Sequence, residues 1–295
     1  MIGGTSAALL GSSSAAPLDL LPIATPANTT YVLPDLIPFE DNGSKGAGKG
    51  EVSDEYGAPA GGGKAAFRLS TPTGDDKASY AAPAQGAETD LANWIATGAY
   101  SAYQGAADTA FQFPSLQLIV DFNGAETGGF ATLFYEPVYN AGASTAPDQW
   151  NRYQAGAGRW CSTKVIPGVL ADNQAFCANG GDKPLTDYVT GAPDLVVQGV
   201  AINQGSGNSG LESAVDLITT PRTTYDFELT KPTTPVDPTT PPTTPPTTEP
   251  GNGGGNNGGN NGHPGNNHGN NGHPGNNGGG NSGGHGNNGG DCVCG

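Results

Sequence analysis

From Gly251 to Gly290, 33 of 40 residues are Gly or Asn, and none is aliphatic or aromatic. Such a stretch has no apolar surface to offset the entropy of ordering, so no core can include it. Before it, Thr230 to Pro250 is Thr or Pro at 17 of 21 positions. Proline fixes φ and lacks an N–H, which favours extended polyproline II. At about 3.1 Å per residue that segment would reach roughly 65 Å, and the coil beyond it would span about 35–40 Å root-mean-square. Folding is thereby confined to roughly Pro17–Leu229, which is long enough for one substantial core. The expected layout is an N-terminal extension over 17–38, a domain over 39–229, a Thr/Pro linker over 230–250 and a Gly/Asn/His-rich tail over 251–295.

The formal charge is −16. Between Pro17 and Leu229, 24 acidic residues face 10 basic ones, with no Lys/Arg cluster. A phosphate backbone needs cationic neutralisation, so nucleic acid is not an expected partner, and anionic membrane surfaces are disfavoured for the same reason. No run of 18 apolar residues is present to span a bilayer. Residues 1–16 are small and apolar, and Ser14-Ala15-Ala16 before Pro17 resembles a leader cleavage site, although a positive n-region is missing. They are expected to be the remnant of a signal peptide. Cys161 and Cys177 then meet an oxidising compartment, where they would pair and close a loop. An extracellular or cell-surface location is the expectation.

Hydrophobic periodicity points to strands nearly throughout. Ser115–Asn123 (SLQLIVDFN) and Gly129–Tyr139 (GFATLFYEPVY) read as a hairpin across Asn123-Gly124, the second strand stopped or bent by Pro137. Leu195–Asn203 and Leu211–Thr219 read as a second pair joined by QGSGNSG. Lys64–Ser70 and Thr223–Leu229 are further strands, and Leu185–Val189 is a short helix, with helices unexpected elsewhere. Short strands with Gly-rich turns predict an all-β fold, an antiparallel β-sandwich or jelly roll.

Several stretches resemble secreted single-domain sandwich proteins of high-GC Gram-positive bacteria. They are KAAFRLSTPTGDDKA at 64–78, LQLIVDFNGAETGGFATLFYEPVYN at 116–140, RWCSTKVIPG at 159–168, VVQGVAINQGSGNSGLESAVDLIT at 196–219 and TTYDFE at 223–228. The resemblance covers roughly Phe39 to Leu229. Its layout is similar to concanavalin-like and carbohydrate-binding-module sandwiches, which implies a jelly-roll fold. It supplies no catalytic residues. The tail carries no LPxTG signal, so covalent wall attachment is not expected.

Four chemistries can be weighed. His263, His268, His273 and His285, with Cys292 and Cys294, offer transition-metal ligands. Their irregular spacing in a flexible segment makes HPGNN read better as part of a Gly/Asn repeat, with His as a solvating residue. Cys292-Val293-Cys294 is too close for an unstrained pair; it could form intermolecular disulfides or be the start of a truncated C-terminal motif. Calcium, a structural cofactor in many secreted sandwiches, could take Asp75, Asp76, Asp121 and Asn123, though no D-x-D-x-D-G loop is present. Glycoside hydrolysis needs two opposed carboxylates. Asp226 and Glu228 lie two apart on a strand and so share a face, with Glu136 and Asp121 on the hairpin.

Aromatic rings are the fourth. Sugar-binding sandwiches stack pyranose faces on exposed rings, and Trp150, Tyr153, Trp94, Tyr100 and Tyr103 are the candidates, set against the commoner use of strand aromatics as core. Trp160 beside Cys161 is expected to pack on the disulfide. The leading expectation is an exported, non-catalytic binding or adhesion module with polysaccharide or cell-envelope glycan as partner. A structural envelope protein with no small ligand is the alternative, and a sandwich-fold glycosidase or lyase the third.

Overall fold

A computed structural model of the chain describes residues 28–124 and 128–233. The leader remnant, the extension up to 27, the linker beyond 233, the tail with its four histidines, and Cys292 and Cys294 lie outside the described residues.

Fourteen strands make up the described fold. They are β1 (Thr29–Val32), β2 (Glu40–Asp41), β3 (Lys49–Ser53), β4 (Ala66–Thr71), β5 (Ala78–Pro83), β6 (Ala99–Ala106), β7 (Ser115–Asp121), β8 (Phe130–Tyr135), β9 (Trp150–Tyr153), β10 (Arg159–Ser162), β11 (Lys183–Pro184), β12 (Val196–Gln204), β13 (Leu211–Thr219) and β14 (Thr224–Phe227). Two sheets form an all-β sandwich, as the periodicity predicts. In sheet one, β13 pairs with β4, β6 and β14, and β3, β9 and β1 pair outward from those. Sheet two runs β11-β10-β8-β7-β12-β5-β2. Every pairing is antiparallel except β1 with β14. Because β1 belongs to sheet one, the sandwich takes in residues that the sequence assigns to the N-terminal extension.

Alternation along the strands builds one core between the sheets. Phe67, Leu69, Val215 and Phe227 enter from sheet one, and Leu116, Leu118, Leu133 and Ile202 from sheet two. Gln204 ties the sheets together at one end. Its Nε2 donates to Thr71 Oγ1 and Leu211 O at 2.7 Å each, and its Oε1 accepts from Ser213 Oγ at 2.6 Å. Pairing these groups avoids the roughly 1–3 kcal/mol that an orphaned buried amide costs.

The 115–139 hairpin forms as β7 and β8, in register from Leu116↔Tyr135 to Asp121↔Phe130. Pro137 ends the second strand, starting a 3₁₀ turn over Pro137–Tyr139. The expected second hairpin does not form. β12 pairs with β5 and β7 in sheet two, whereas β13 pairs within sheet one. The QGSGNSG loop therefore carries the chain across the sandwich, turning through positive φ at Gly207 and Gly210. A Gly-rich loop of that length permits either course.

Two helices occur. α2 (Leu185–Gly191) is the expected one. α1 (Leu91–Thr97) was not expected, and its N-cap Asp90 accepts from Ala92 N at 2.9 Å. α1 packs on α2 and on the turn Ala155–Ala157. Gly156 allows that approach, since a Cβ there would overlap the Trp94 carbonyl.

Cys161 on β10 is bonded to Cys177, with Cα atoms 5.2 Å apart. Trp160 does not cover this bridge. Neighbouring residues on a strand face opposite ways, and Trp160 joins the inter-sheet core, donating Nε1–H to Ala155 O at 2.7 Å. The closed loop constrains the unfolded chain by about 3 kcal/mol. Converting both cysteines to serine should lower the thermal midpoint by roughly 6–12 °C for a domain of this size. An unchanged midpoint by calorimetry would show that the bridge adds no stability.

Candidate functional site

The outward residues of sheet two form the floor of a groove. On β7, Leu116 and Leu118 face the core, so Ser115 and Gln117 face out. The same parity turns Thr132 and Phe134 of β8 and Asn203 of β12 outward. Asn42, Lys45, Lys77, Glu136, Thr163, Gly205, Ser206 and Asn208 complete its lining. The groove encloses about 230 Å³.

Amides and hydroxyls dominate its lining. Gln117 Nε2 donates to Ser115 Oγ at 3.2 Å, and Ser115 Oγ donates to the Asn203 carbonyl at 3.2 Å. Asn203 pairs with Ser79 on one side and Ser115 on the other. Asn203 Oδ1 and Ser79 Oγ are buried with no protein partner. Past Phe113 the groove meets a small cleft lined by Phe111, Pro137, Val138 and Tyr139, and the two share Phe113, Glu136 and Asn208. Phe111 is 43% exposed and Val138 44%, unusual for such side chains in this protein. Of this groove only Glu136 was singled out from the sequence, as a carboxylate. Its residues are scattered from 42 to 208 with no local spacing, and only pairing brings them together.

The predicted aromatic platform is divided by strand parity. β6 and β9 pair in the register Tyr100↔Tyr153 and Tyr103↔Trp150. The first pair points inward and the second outward. Tyr100 and Tyr153 pack 5.1 Å apart in the core, their hydroxyls donating to Pro114 O and Ser144 O. Burial raises both phenols well above their ordinary pKa. Trp94 on α1 is fully buried and donates Nε1–H to Glu88 O at 2.8 Å. Trp94, Tyr100 and Tyr153 are thus core residues rather than ligand platforms.

On the outer face of sheet one, Tyr103 stacks on Tyr56 at 4.9 Å and meets Trp150 at 5.7 Å. Only 7% of Tyr103 remains exposed, while Trp150 and Tyr56 are half-buried. Trp150 Nε1 donates to Tyr56 O at 3.2 Å.

The carboxylates likewise separate. Asp226 and Glu228 share the outer face of sheet one, as their spacing predicts, and Asp216 of β13 joins them. Asp121 and Glu136 belong to sheet two and cannot oppose them. Asp216, Asp226 and Glu228 are 0%, 2% and 5% exposed, so no substrate reaches them in this conformation. Burial, then the Glu228 charge, raises Asp226 to about 7. Asp216 is raised well above the ordinary range by burial and by Asp226. Arg152 is lowered to about 10 by burial, against the pull of Asp216.

Two of the calcium candidates, Asp76 and Asp121, are engaged with protein partners. Asp76 accepts from Ala47 N at 2.7 Å, Thr73 N at 2.8 Å and Thr73 Oγ1 at 2.9 Å, which holds its carboxyl below its ordinary pKa. Asp75 is exposed beside it. Asp121 accepts from Asn123 N at 3.2 Å in the hairpin turn. Among the described residues no group of three His, Cys, Asp or Glu is placed to hold a metal ion.

No protein-family model, curated protein or solved structure matches the chain.

Replacing Trp94 with Ala should cost roughly 3–5 kcal/mol in denaturant unfolding, the range for emptying a buried large aromatic site. Trp150→Ala should cost clearly less, because one side of its ring meets solvent. Equal losses for the two would contradict the division between core and surface.

Proposed function

We propose that the chain is an exported, non-catalytic binding module, and that it holds a glycan in the groove over sheet two. The observation that carries this reading is the lining itself. A concave floor of Ser115, Gln117, Thr132 and Asn203 matches a polyhydroxylated ligand, whose hydroxyls both donate and accept. The Gln117 and Asn203 side-chain amides carry both donors and acceptors for such hydroxyls. The adjoining Phe111 gives an apolar surface for the C–H face of a sugar ring, where the groove opens. Export is supported by the disulfide and by the Thr/Pro and Gly/Asn composition after the domain. Among the described residues no helix is long and apolar enough to cross a membrane. The module is non-catalytic in this reading because its high-pKa carboxylates are sealed on the opposite face.

The test is binding of the full chain to a panel of soluble and insoluble polysaccharides. Gln117→Ala and Asn203→Ala should each weaken binding about tenfold, the loss of one or two net hydrogen bonds. Phe111→Ala should weaken it by a similar factor, and Trp150→Ala should leave it within about twofold. Loss on Trp150→Ala with the groove variants unaffected would place the site on sheet one. A folded, oxidised chain that binds no polymer would leave the reading of a structural envelope head.

A further inference from the structure

The connection from β3 to β4 does not turn tightly. It folds back over the outer face of sheet one and spans the strands beneath it. At its start, the Tyr56 ring lies on Tyr103, and its carbonyl accepts from Trp150. At its end, Gly62 sits against the Asp216 carboxylate and Gly63 against that of Glu228, so closely that a Cβ at either would overlap the acid. Lys64 N donates to Glu228 Oε1 at 2.9 Å. Gly57, Gly61 and Gly63 take positive φ, a backbone path that only glycine follows without strain.

This cover seals an electrostatic imbalance. Asp216 Oδ1 accepts from Phe227 N at 3.0 Å, but Asp216 Oδ2 and Asp226 Oδ1 are buried with no protein partner. By contrast, both oxygens of the equally buried Glu88 are bonded, to Thr220 Oγ1 and to Gln85 N and Arg222. The charged and titratable groups around the pair come from each neighbouring element. They are Glu228 just past β14, Tyr31 on β1 beside Asp226, Lys64 at the end of the cover, and Arg152 on β9. Arg152 donates to Leu217 O at 2.6 Å and Thr219 Oγ1 at 2.8 Å. Three carboxylates thus face two cations, and one of those, Lys64, is exposed. An uncompensated buried charge is costly, and one proton removes it.

We propose that residues 54–64 are a proton-controlled cover, seated while Asp216 and Asp226 hold one proton between them and lifting from the carboxylate end when it is lost. The sign follows from linkage. The seated form binds more protons than a lifted form whose carboxylates are hydrated and ordinary. Its population is greatest in acid and falls as pH rises towards neutrality, by at most about tenfold per pH unit for one proton. Above the raised pKa the dependence levels off. Lifting would hydrate Asp216, Asp226 and Arg152 while the inter-sheet core stays closed.

Amide hydrogen exchange on the full chain at pH 5 and pH 8, corrected for intrinsic rates, tests this. Protection of amides 57–64 should fall about tenfold or more at pH 8, with β7 and β12 unchanged. Asp226→Asn should flatten the dependence, because its amide cannot ionise. Protection within twofold at both pH values, or the same fall in Asp226→Asn, would overturn the proposal. If that variant does not fold, the carboxyl carbon shifts of the aspartates in the native chain decide. A midpoint near neutrality, in step with cover exchange, supports it, and midpoints confined to the ordinary acidic range overturn it.

Discussion

Two sheets burying a single layer of side chains between them impose one rule on every strand: alternate residues must go in. The rest of the molecule follows from which residues obey. On β6 and β9 the rule sends Tyr100 and Tyr153 into the core and leaves Tyr103 and Trp150 outside. On β7, β8 and β12 it buries Leu116, Leu118, Leu133 and Ile202 and turns Ser115, Gln117, Thr132 and Asn203 to the groove. On β13 and β14 it buries Val215 and Phe227 and turns Asp216, Asp226 and Glu228 to the far side, while an irregularity at Leu217, which has positive φ, returns Ile218 to the core.

The two outer faces have opposite character. Sheet two presents polar groups that are partly paired with one another, on a concave floor open to solvent. Sheet one is closed by the 54–64 segment, which turns rings and carboxylates that would otherwise meet water into buried groups. Burying carboxylates raises their pKa and ties this face to pH. The open face has no such dependence on burial, and its side chains can exchange protein or water partners for ligand hydroxyls at little net cost.

Much of the fold was legible in the sequence, because alternation in stretches such as SLQLIVDFN is strong and local. The β7–β8 hairpin was legible for the same reason. The course of β13 was not. QGSGNSG marks a turn without saying which sheet the next strand joins, and inward parity is satisfied on either side. α1 was hidden by its brevity, although Asp90 before Leu91 is an N-cap signal. Among site residues, the shared face of Asp226 and Glu228 came from two-residue spacing. Asp216 came only from pairing, since Phe227 N must reach across to it. The five predicted platform aromatics failed in part because composition shows rings without their direction. The groove was invisible for a deeper reason: Asn42, Gln117, Thr132 and Asn203 are ordinary polar residues until strand order assembles them.

The most direct measurement is a nitrogen–proton correlation spectrum of the full chain titrated with soluble oligosaccharides of cellulose, chitin and xylan. A glycan seated on sheet two should shift the backbone amides of β7, β8 and β12 and the side-chain amides of Gln117 and Asn203, with the Trp150 indole signal unmoved. Shifts concentrated at Trp150, Tyr56 and Tyr103, with the Gln117 and Asn203 amides unchanged, would contradict the groove as the binding face.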